Sequence, residues 1–293
     1  MKSDPAAGTV PVASALSMYD PVYLGIDEYR APVYTGLVYK NLLTGGEPGA
    51  GKSTAVNNVC AHAALSADAR LILLDGKYVE LSQWEDVADV FVGPKADEAI
   101  IALLRLQTLI NNRYAWLTAQ RRRKLTRHDR LSVTVCVIDE IAYYTTVAGT
   151  KQQQEMFSVL LRDIVSRGRA CGVVVVAATQ RPSGADNPPI IPASLRDIFG
   201  YRLAFRCTTD DSSDLVLGRG MAAAGYTAAS IAPEDAGVGL LLAEGGLPRK
   251  IRVPFLTDDQ IESVVDYAAW TRRTNTTPDP ARVAEVVPLK EVA

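Results

Sequence analysis

The sequence predicts an α/β fold: a doubly wound, mostly parallel sheet with helices on both faces. Three observations carry this. Short apolar runs alternate with longer segments whose apolar residues recur at three and four. Residues 71–74, 133–138 and 173–178 are almost continuously apolar, as strands covered on both faces are. Each run ends in residues that carry chemistry, and α/β proteins place their ligand loops at strand C-termini.

The chain has 293 residues, 48% of them hydrophobic, enough for one large core or a core with a small lobe. Its net charge of −2 excludes a whole-surface attraction to nucleic acid, so any DNA contact must use a local basic patch. Cys60, Cys136, Cys171 and Cys207 form no C-x-x-C pair and sit in or beside apolar segments, which predicts buried thiols in a reducing cytosol. His62 and His128 are too few and too far apart for a histidine-based zinc site. No apolar run approaches the ~18 residues of a membrane span, and the N-terminus lacks a signal-peptide core, so a cytoplasmic location is expected.

Residues 1–21 are rich in Ala, Ser and Pro and read as a flexible N-terminal segment. Residues 22–33 read as a hairpin leading into a short buried strand at 36–43. Gly46, Glu47, Pro48, Gly49, Ala50, Gly51, Lys52, Ser53 and Thr54 follow, matching G-x-x-x-x-G-K-[ST], and residues 55–65 read as a helix. Strand, glycine loop and helix form the context that makes this a phosphate-binding P-loop rather than a turn that happens to hold a lysine. The loop's backbone N–H groups and the helix N-terminus would wrap a phosphate chain. Lys52 would reach the β- and γ-phosphates, and the Ser53 hydroxyl would ligate Mg²⁺.

The strand at 71–74 ends in Asp75-Gly76-Lys77. Residues 95–124 are patterned as a helix ending in Arg121, Arg122, Arg123 and Lys124, with Arg127, His128 and Arg130 beyond. This cluster reads either as a solvated helix end or as a surface for DNA or a partner. The strand at 133–138 ends in Asp139-Glu140, which downstream of a P-loop is the second half of an ATPase site. Asp139 would hold the Mg²⁺ shell and Glu140 would polarise the attacking water.

A helix at 152–169 carries Arg162, Arg167 and Arg169, and the strand at 173–178 delivers Thr179 and Gln180. Gln180 would touch the γ-phosphate or the lytic water, or only cap its strand. Residues 202–207, 237–243 and 250–254 read as strands, the last two as a hairpin over residues 244–246. Residues 210–217 and 258–273 read as helices, and 274–293 as a flexible tail. No N-K-x-D guanine-reading motif occurs, which favours ATP over GTP.

The string Arg167-Gly168-Arg169-Ala170-Cys171-Gly172, running through the valine strand to Ala178-Thr179-Gln180-Arg181-Pro182-Ser183, resembles the signature of FtsK/SpoIIIE DNA translocases. So do Leu24-Gly25-Ile26-Asp27, Asp75-Gly76-Lys77, Ile191-Pro192, Arg202-Leu203-Ala204-Phe205 and Asp214-Leu215-Val216-Leu217-Gly218, together covering roughly residues 22–270. In style the likeness is to TraB-like members of actinobacterial conjugative elements. The resemblance implies a RecA-like ATPase motor over residues 22–273, ATP and Mg²⁺ as cofactors, and double-stranded DNA moved by a homo-hexameric ring. It implies a membrane-associated or DNA-loading partner, and it assigns an arginine finger to Arg169, which could otherwise cap the preceding helix. Larger members carry membrane segments and a winged-helix domain, and the residues after the last helix are too few for a winged helix.

The leading expectation is therefore an ATP-driven double-stranded DNA translocase acting in conjugation or chromosome partitioning. A secretion-type ATPase of the same superfamily that moves proteins is the runner-up. A nucleotide-dependent binding or regulatory protein with little turnover is the third reading, which Lys52, Asp139 and Glu140 argue against.

Overall fold

The computed structural model describes residues 16–180 and 193–274. Its elements are β1 (Val22–Asp27), β2 (Pro32–Thr35), β3 (Leu42–Gly45), α1 (Lys52–Leu65), β4 (Ala69–Leu74), β5 (Val90–Val92), α2 (Ala96–Ala119), β6 (Val133–Ile138), α3 (Lys151–Arg167), β7 (Val173–Thr179), α4 (Ala193–Arg196), β8 (Tyr201–Phe205), α5 (Asp210–Leu217), β9 (Val238–Ala243), β10 (Arg249–Arg252) and α6 (Asp258–Thr274). The strands form one sheet in the order β2-β1-β10-β9-β8-β3-β7-β6-β4-β5. From β8 to β5 every neighbouring pair is parallel. From β8 to β2 every pair is antiparallel. The sheet is thus mixed and mostly parallel, and the expected α/β fold class holds; the two expected hairpins, β1–β2 and β9–β10, form an antiparallel extension whose joins to each other and to β8 the alternating pattern did not reveal.

Side-chain alternation explains why the central strands read as unbroken apolar runs. Val133, Val135 and Val137 of β6, with Val174 and Val176 of β7, pack towards α1 and α6. Cys136, Ile138, Val173, Val175 and Ala177 pack on the other face with α2 and α3. Every residue of β6 and β7 is buried. Both faces are therefore sealed at β6 and β7, and the functional groups there are left to the strand ends. All four cysteines are buried free thiols, as their apolar surroundings predict.

Helix boundaries follow local chemistry. The Thr150 side chain accepts from the Gln153 N–H while the Gln153 side chain accepts from the Thr150 N–H, fixing the start of α3. Thr209 caps α5 by accepting from the Ser212 N–H.

Several expected boundaries move. The strand before the glycine loop is β3, shorter and later than 36–43, because Tyr39 and Asn41 take positive φ of 72° and 82°. The buried Asn41 amide accepts from the Val175 N–H and donates to the Val165 carbonyl, so that turn is locked rather than extended. The β1–β2 hairpin exists but does not adjoin β3: β10, β9 and β8 lie between. The helix expected at 95–124 stops at Ala119, where the chain turns through Arg121 at φ 53°. That expected at 152–169 ends at Arg167 and passes into a 3-10 turn over Gly168–Cys171.

The described end of the segment expected to be flexible is docked. Met18 is fully buried, its N–H and the Ser17 hydroxyl both bond Asp68, and Leu16 bridges Ser66. The tail from 275 on, and the Arg181, Pro182, Ser183, Ile191 and Pro192 of the resemblance, lie outside the described residues.

Candidate nucleotide site

One sheet edge gathers the candidate residues, because parallel strands end together there. Gly45 of β3 lies opposite Thr179 of β7, and Ile138 of β6 lies opposite both Ala177 of β7 and Leu74 of β4. The residues that follow are the glycine loop, Gln180, Asp139-Glu140 and Asp75, so the sequence-predicted set apart from Arg169 converges on this edge.

The loop runs from β3 into α1, with Lys52 as the first helical residue. Gly46, Gly49 and Gly51 have φ of 151°, 73° and 118°, the left-handed region that admits glycine. At Gly51 the constraint is also steric: a Cβ would lie 2.7 Å from the Gly237 Cα. The N–H groups of Gly46 and Glu47 are held by the Thr179 and Arg206 carbonyls, so the loop is clamped between β7 and the end of β8.

The Glu47 carboxylate strengthens this clamp, a role the loop motif does not announce. It pairs with Arg206 at 2.5 Å and accepts from the Thr208 hydroxyl. Nothing in the sequence points to these partners, which lie more than a hundred residues downstream.

Lys52 is buried, and its ammonium donates to the Gly46 and Glu47 carbonyls, both at 2.6 Å. Burial lowers its pKa to about 8. Asp139 is only 4% exposed, and its Oδ2 has no hydrogen-bond partner among the described residues. Burial raises its pKa to about 7, against the opposing pull of the Lys77 charge.

An unsatisfied buried carboxylate oxygen is costly. Its position at the loop edge makes Asp139, with the Ser53 hydroxyl at the second position of α1, a donor set suited to a hard cation such as Mg²⁺. No cluster of three or more His, Cys, Asp or Glu side chains arranged for a metal occurs among the described residues. A cation here would thus take much of its coordination from phosphate oxygens and water, as Mg²⁺ usually does.

Glu140 is also buried, held by two backbone donors. Its Oε1 accepts from the Ala142 N–H at 3.3 Å and its Oε2 from the Gln180 N–H at 2.9 Å. The Glu140 carboxylate and the Gln180 backbone N–H tie the ends of β6 and β7 together, a bond that does not depend on the glutamine side chain. Asp75, fully buried, accepts from the N–H groups of Lys77, Tyr78 and Leu81 and shapes the loop that carries Lys77 towards Asp139.

Arg169 stands apart from this site. It lies just before β7, at the sheet edge opposite the glycine loop. It does not cap α3: its Nε donates to the Tyr39 carbonyl at 2.6 Å and its guanidinium pairs with Glu244 at 3.2 Å. The basic cluster lies nearby, since the Leu125 N–H bonds the Ala170 carbonyl. Arg122 is tied to Asp129, Arg127 to Asp20, and Lys124 lies over the Tyr39 ring. Arg121, Arg123 and Arg130 are exposed. Among the described residues no helix is long and apolar enough to cross a membrane.

Comparison with known proteins bears out the resemblance to FtsK/SpoIIIE proteins. Residues 3–135 match the FtsK/SpoIIIE family, a stretch that includes the glycine loop and ends before Asp139. The DNA translocase FtsK of Corynebacterium glutamicum is 29% identical over 261 residues, 80% of this chain and 26% of its own length. That of Pseudomonas aeruginosa is 27% identical over 293 residues, 86% of this chain and 34% of its own. The chain thus spans about a quarter to a third of the length of these relatives.

Among solved structures, the pCW3 conjugation coupling protein TcpA, in a monomer form with ATPgS, superposes with a TM-score of 0.71 at 18% identity, over 87% of this chain and 71% of its own. EssC (ATPases 2 and 3) from Geobacillus thermodenitrificans gives 0.71 at 14% identity, over 90% and 51%. These likenesses establish the fold.

Proposed function

We propose that this chain is an ATPase motor that moves double-stranded DNA and works as a ring, homo-hexameric as the family resemblance implies. The observation that carries the ATPase half is the convergence of a clamped glycine loop, a buried Lys52 and two buried acids, one with an orphaned oxygen, on one sheet edge. A polyphosphate entering the loop would draw the Lys52 ammonium away from its two carbonyls and supply the charge that its burial lacks. Asp139 and Ser53 would hold Mg²⁺, which when bound bridges phosphate oxygens and neutralises their charge. Glu140, fixed by two N–H donors, would act as the base for an attacking water, and Gln180, whose N–H is one of them, would sense the γ-phosphate.

The DNA half rests on the FtsK relatives. Phosphate contacts would supply the affinity and carry little sequence preference. The exposed arginines after α2 supply a local basic surface that the slightly negative chain otherwise lacks. Arg169 would serve the neighbouring protomer, because it sits across the sheet from its own glycine loop. Conjugative transfer is the finer process we favour, in a cytoplasmic setting with a membrane-associated or DNA-loading partner; the TcpA likeness in fold is compatible with it.

A protein-moving ATPase is the second reading, since the Type VII Secretion ATPase EccC of Thermomonospora curvata shares the fold with a TM-score of 0.63 at 15% identity. ATP hydrolysis measured with and without double-stranded DNA at two salt concentrations separates them. A DNA motor should be stimulated by DNA, and less so at high salt. Hydrolysis indifferent to DNA at both concentrations would favour the protein-moving reading.

A further inference from the structure

The glycine loop carries an acid of its own. Glu47 is its second residue, and the Glu47 carbonyl accepts from the Lys52 ammonium at 2.6 Å. A phosphate chain that draws this ammonium away comes to rest beside Glu47. There the carboxylate acts on it before salt screens the charge. The buried Asp139 and Glu140 already bring negative charge to this edge. A third acid, left unpaired, would oppose the entry of a polyphosphate.

Every polar group of Glu47 has a partner. Its N–H donates to the Arg206 carbonyl at 2.9 Å, and its carbonyl accepts from the Ala50 N–H at 3.2 Å as well as from Lys52. Its Oε2 pairs with the Arg206 guanidinium at 2.5 Å, and its Oε1 accepts from the Thr208 hydroxyl. Arg206 and Thr208 follow β8, which flanks β3 on the side away from β7 and β6. The carboxylate is thus turned away from Asp139 and Glu140 and towards a cation.

Holding the loop in shape does not account for this pair, because backbone groups already do so. The bonds from the Gly46 N–H to the Thr179 carbonyl, from the Glu47 N–H to the Arg206 carbonyl and from the Gly237 N–H to the Ala50 carbonyl need neither side chain. The Arg206 and Glu47 side chains are also partly exposed, 28% and 24%, and an ion pair in contact with water adds little to stability. What the guanidinium does change is the field at the place where phosphates would bind.

We propose that Arg206 is a positioning residue of the nucleotide site: acting through Glu47, it cancels the loop's own negative charge and turns it aside, so that a polyphosphate can enter. This rests on the ATPase reading above, and the two can fail separately. The intact chain and its Arg206→Ala, Arg206→Lys, Lys52→Ala and combined Glu47→Gln, Arg206→Ala variants are titrated calorimetrically with Mg²⁺–ATP and with inorganic tripolyphosphate. A melting curve for each variant shows that it is folded.

Arg206→Ala should weaken both ligands about tenfold, because the repulsion acts on phosphates. In steady-state hydrolysis it should raise KM and leave kcat little changed. Arg206→Lys should keep most of the affinity. The combined variant is decisive: with the carboxylate gone as well, affinity should return although the ion pair is missing. A pair that only braced the loop would leave the combined variant as weak as Arg206→Ala, and so would an Arg206 that touches phosphate directly. That result would overturn the proposal, as would parent-like binding by Arg206→Ala. Tripolyphosphate binding by Lys52→Ala at the parent level would overturn the ATPase reading instead, with the combined variant still deciding Arg206.

Discussion

Asp139 offers the sharpest quantitative test, because its burial should leave a mark on stability as well as on activity. Its pKa in the unfolded chain is near 3.8 and in the folded protein about 7. Between those values the folded state binds a proton that the unfolded state has released, so stability falls as pH rises through that window. The shift of roughly 3 units corresponds to at most ~4 kcal/mol at 1.36 kcal/mol per unit. From pH 5 to pH 8 about two of those units apply, and structural relaxation reduces the effect, leaving about 1–3 kcal/mol.

Asp139→Asn cannot ionise. Its stability advantage over the parent, measured without nucleotide, should therefore grow by that amount between pH 5 and pH 8. In melting temperature this is roughly 3–9 °C for a domain of this size. The titration of Lys52, whose lowered pKa acts with the opposite sign above pH 8, is common to both proteins and largely cancels. Adding a Mg²⁺–nucleotide complex at pH 8 should raise the melting temperature of the parent far more than that of the variant. Parallel melting curves for the two proteins across this pH range would refute the reasoning, since they would mean that Asp139 is well solvated.

Three further outcomes are expected. Glu140→Gln should bind ATP near the parent affinity and hydrolyse it about 10²–10⁴-fold more slowly; an equal loss of affinity and rate would make Glu140 a metal ligand instead. Replacing Arg121, Arg123 and Arg130 by Ala should lower the slope of log affinity for DNA against log salt by roughly 0.9 for each DNA phosphate that is no longer neutralised, and an unchanged slope would return the cluster to a solvated surface. Mixing Lys52→Ala with Arg169→Ala, each inactive alone, should restore some DNA-stimulated hydrolysis, because mixed rings contain interfaces with an intact loop facing an intact arginine. Mixed oligomers that stay inactive at every ratio would exclude the trans role.

Much of the candidate site's layout was legible in the sequence because its signals are local. A glycine loop between strand and helix, and acids ending a valine-rich strand, are fixed by neighbours in the chain, and β6 occupies the residues expected of it. What escaped is non-local. The antiparallel extension places β1 beside β10, a pairing that no short-range pattern encodes. The Glu47–Arg206 pair and the close approach of Gly237 to Gly51 likewise join distant segments.

The expected strand at 36–43 fell short for a different reason. Apolar residues there bury themselves in a turn whose positive φ angles are stabilised by the Asn41 side chain, and propensity alone does not see that hydrogen bond. The docked stretch around Met18 shows the same limit, since Asp68 holds it from far along the chain.

The central claim is movement along duplex DNA driven by ATP. Displacement of a third strand from a linear duplex tests it most directly. With ATP and Mg²⁺ the parent chain should strip the third strand, while Glu140→Gln should bind the same DNA and leave the triplex intact. A parent chain that hydrolyses ATP on the duplex yet displaces no more third strand than Glu140→Gln does would contradict the account.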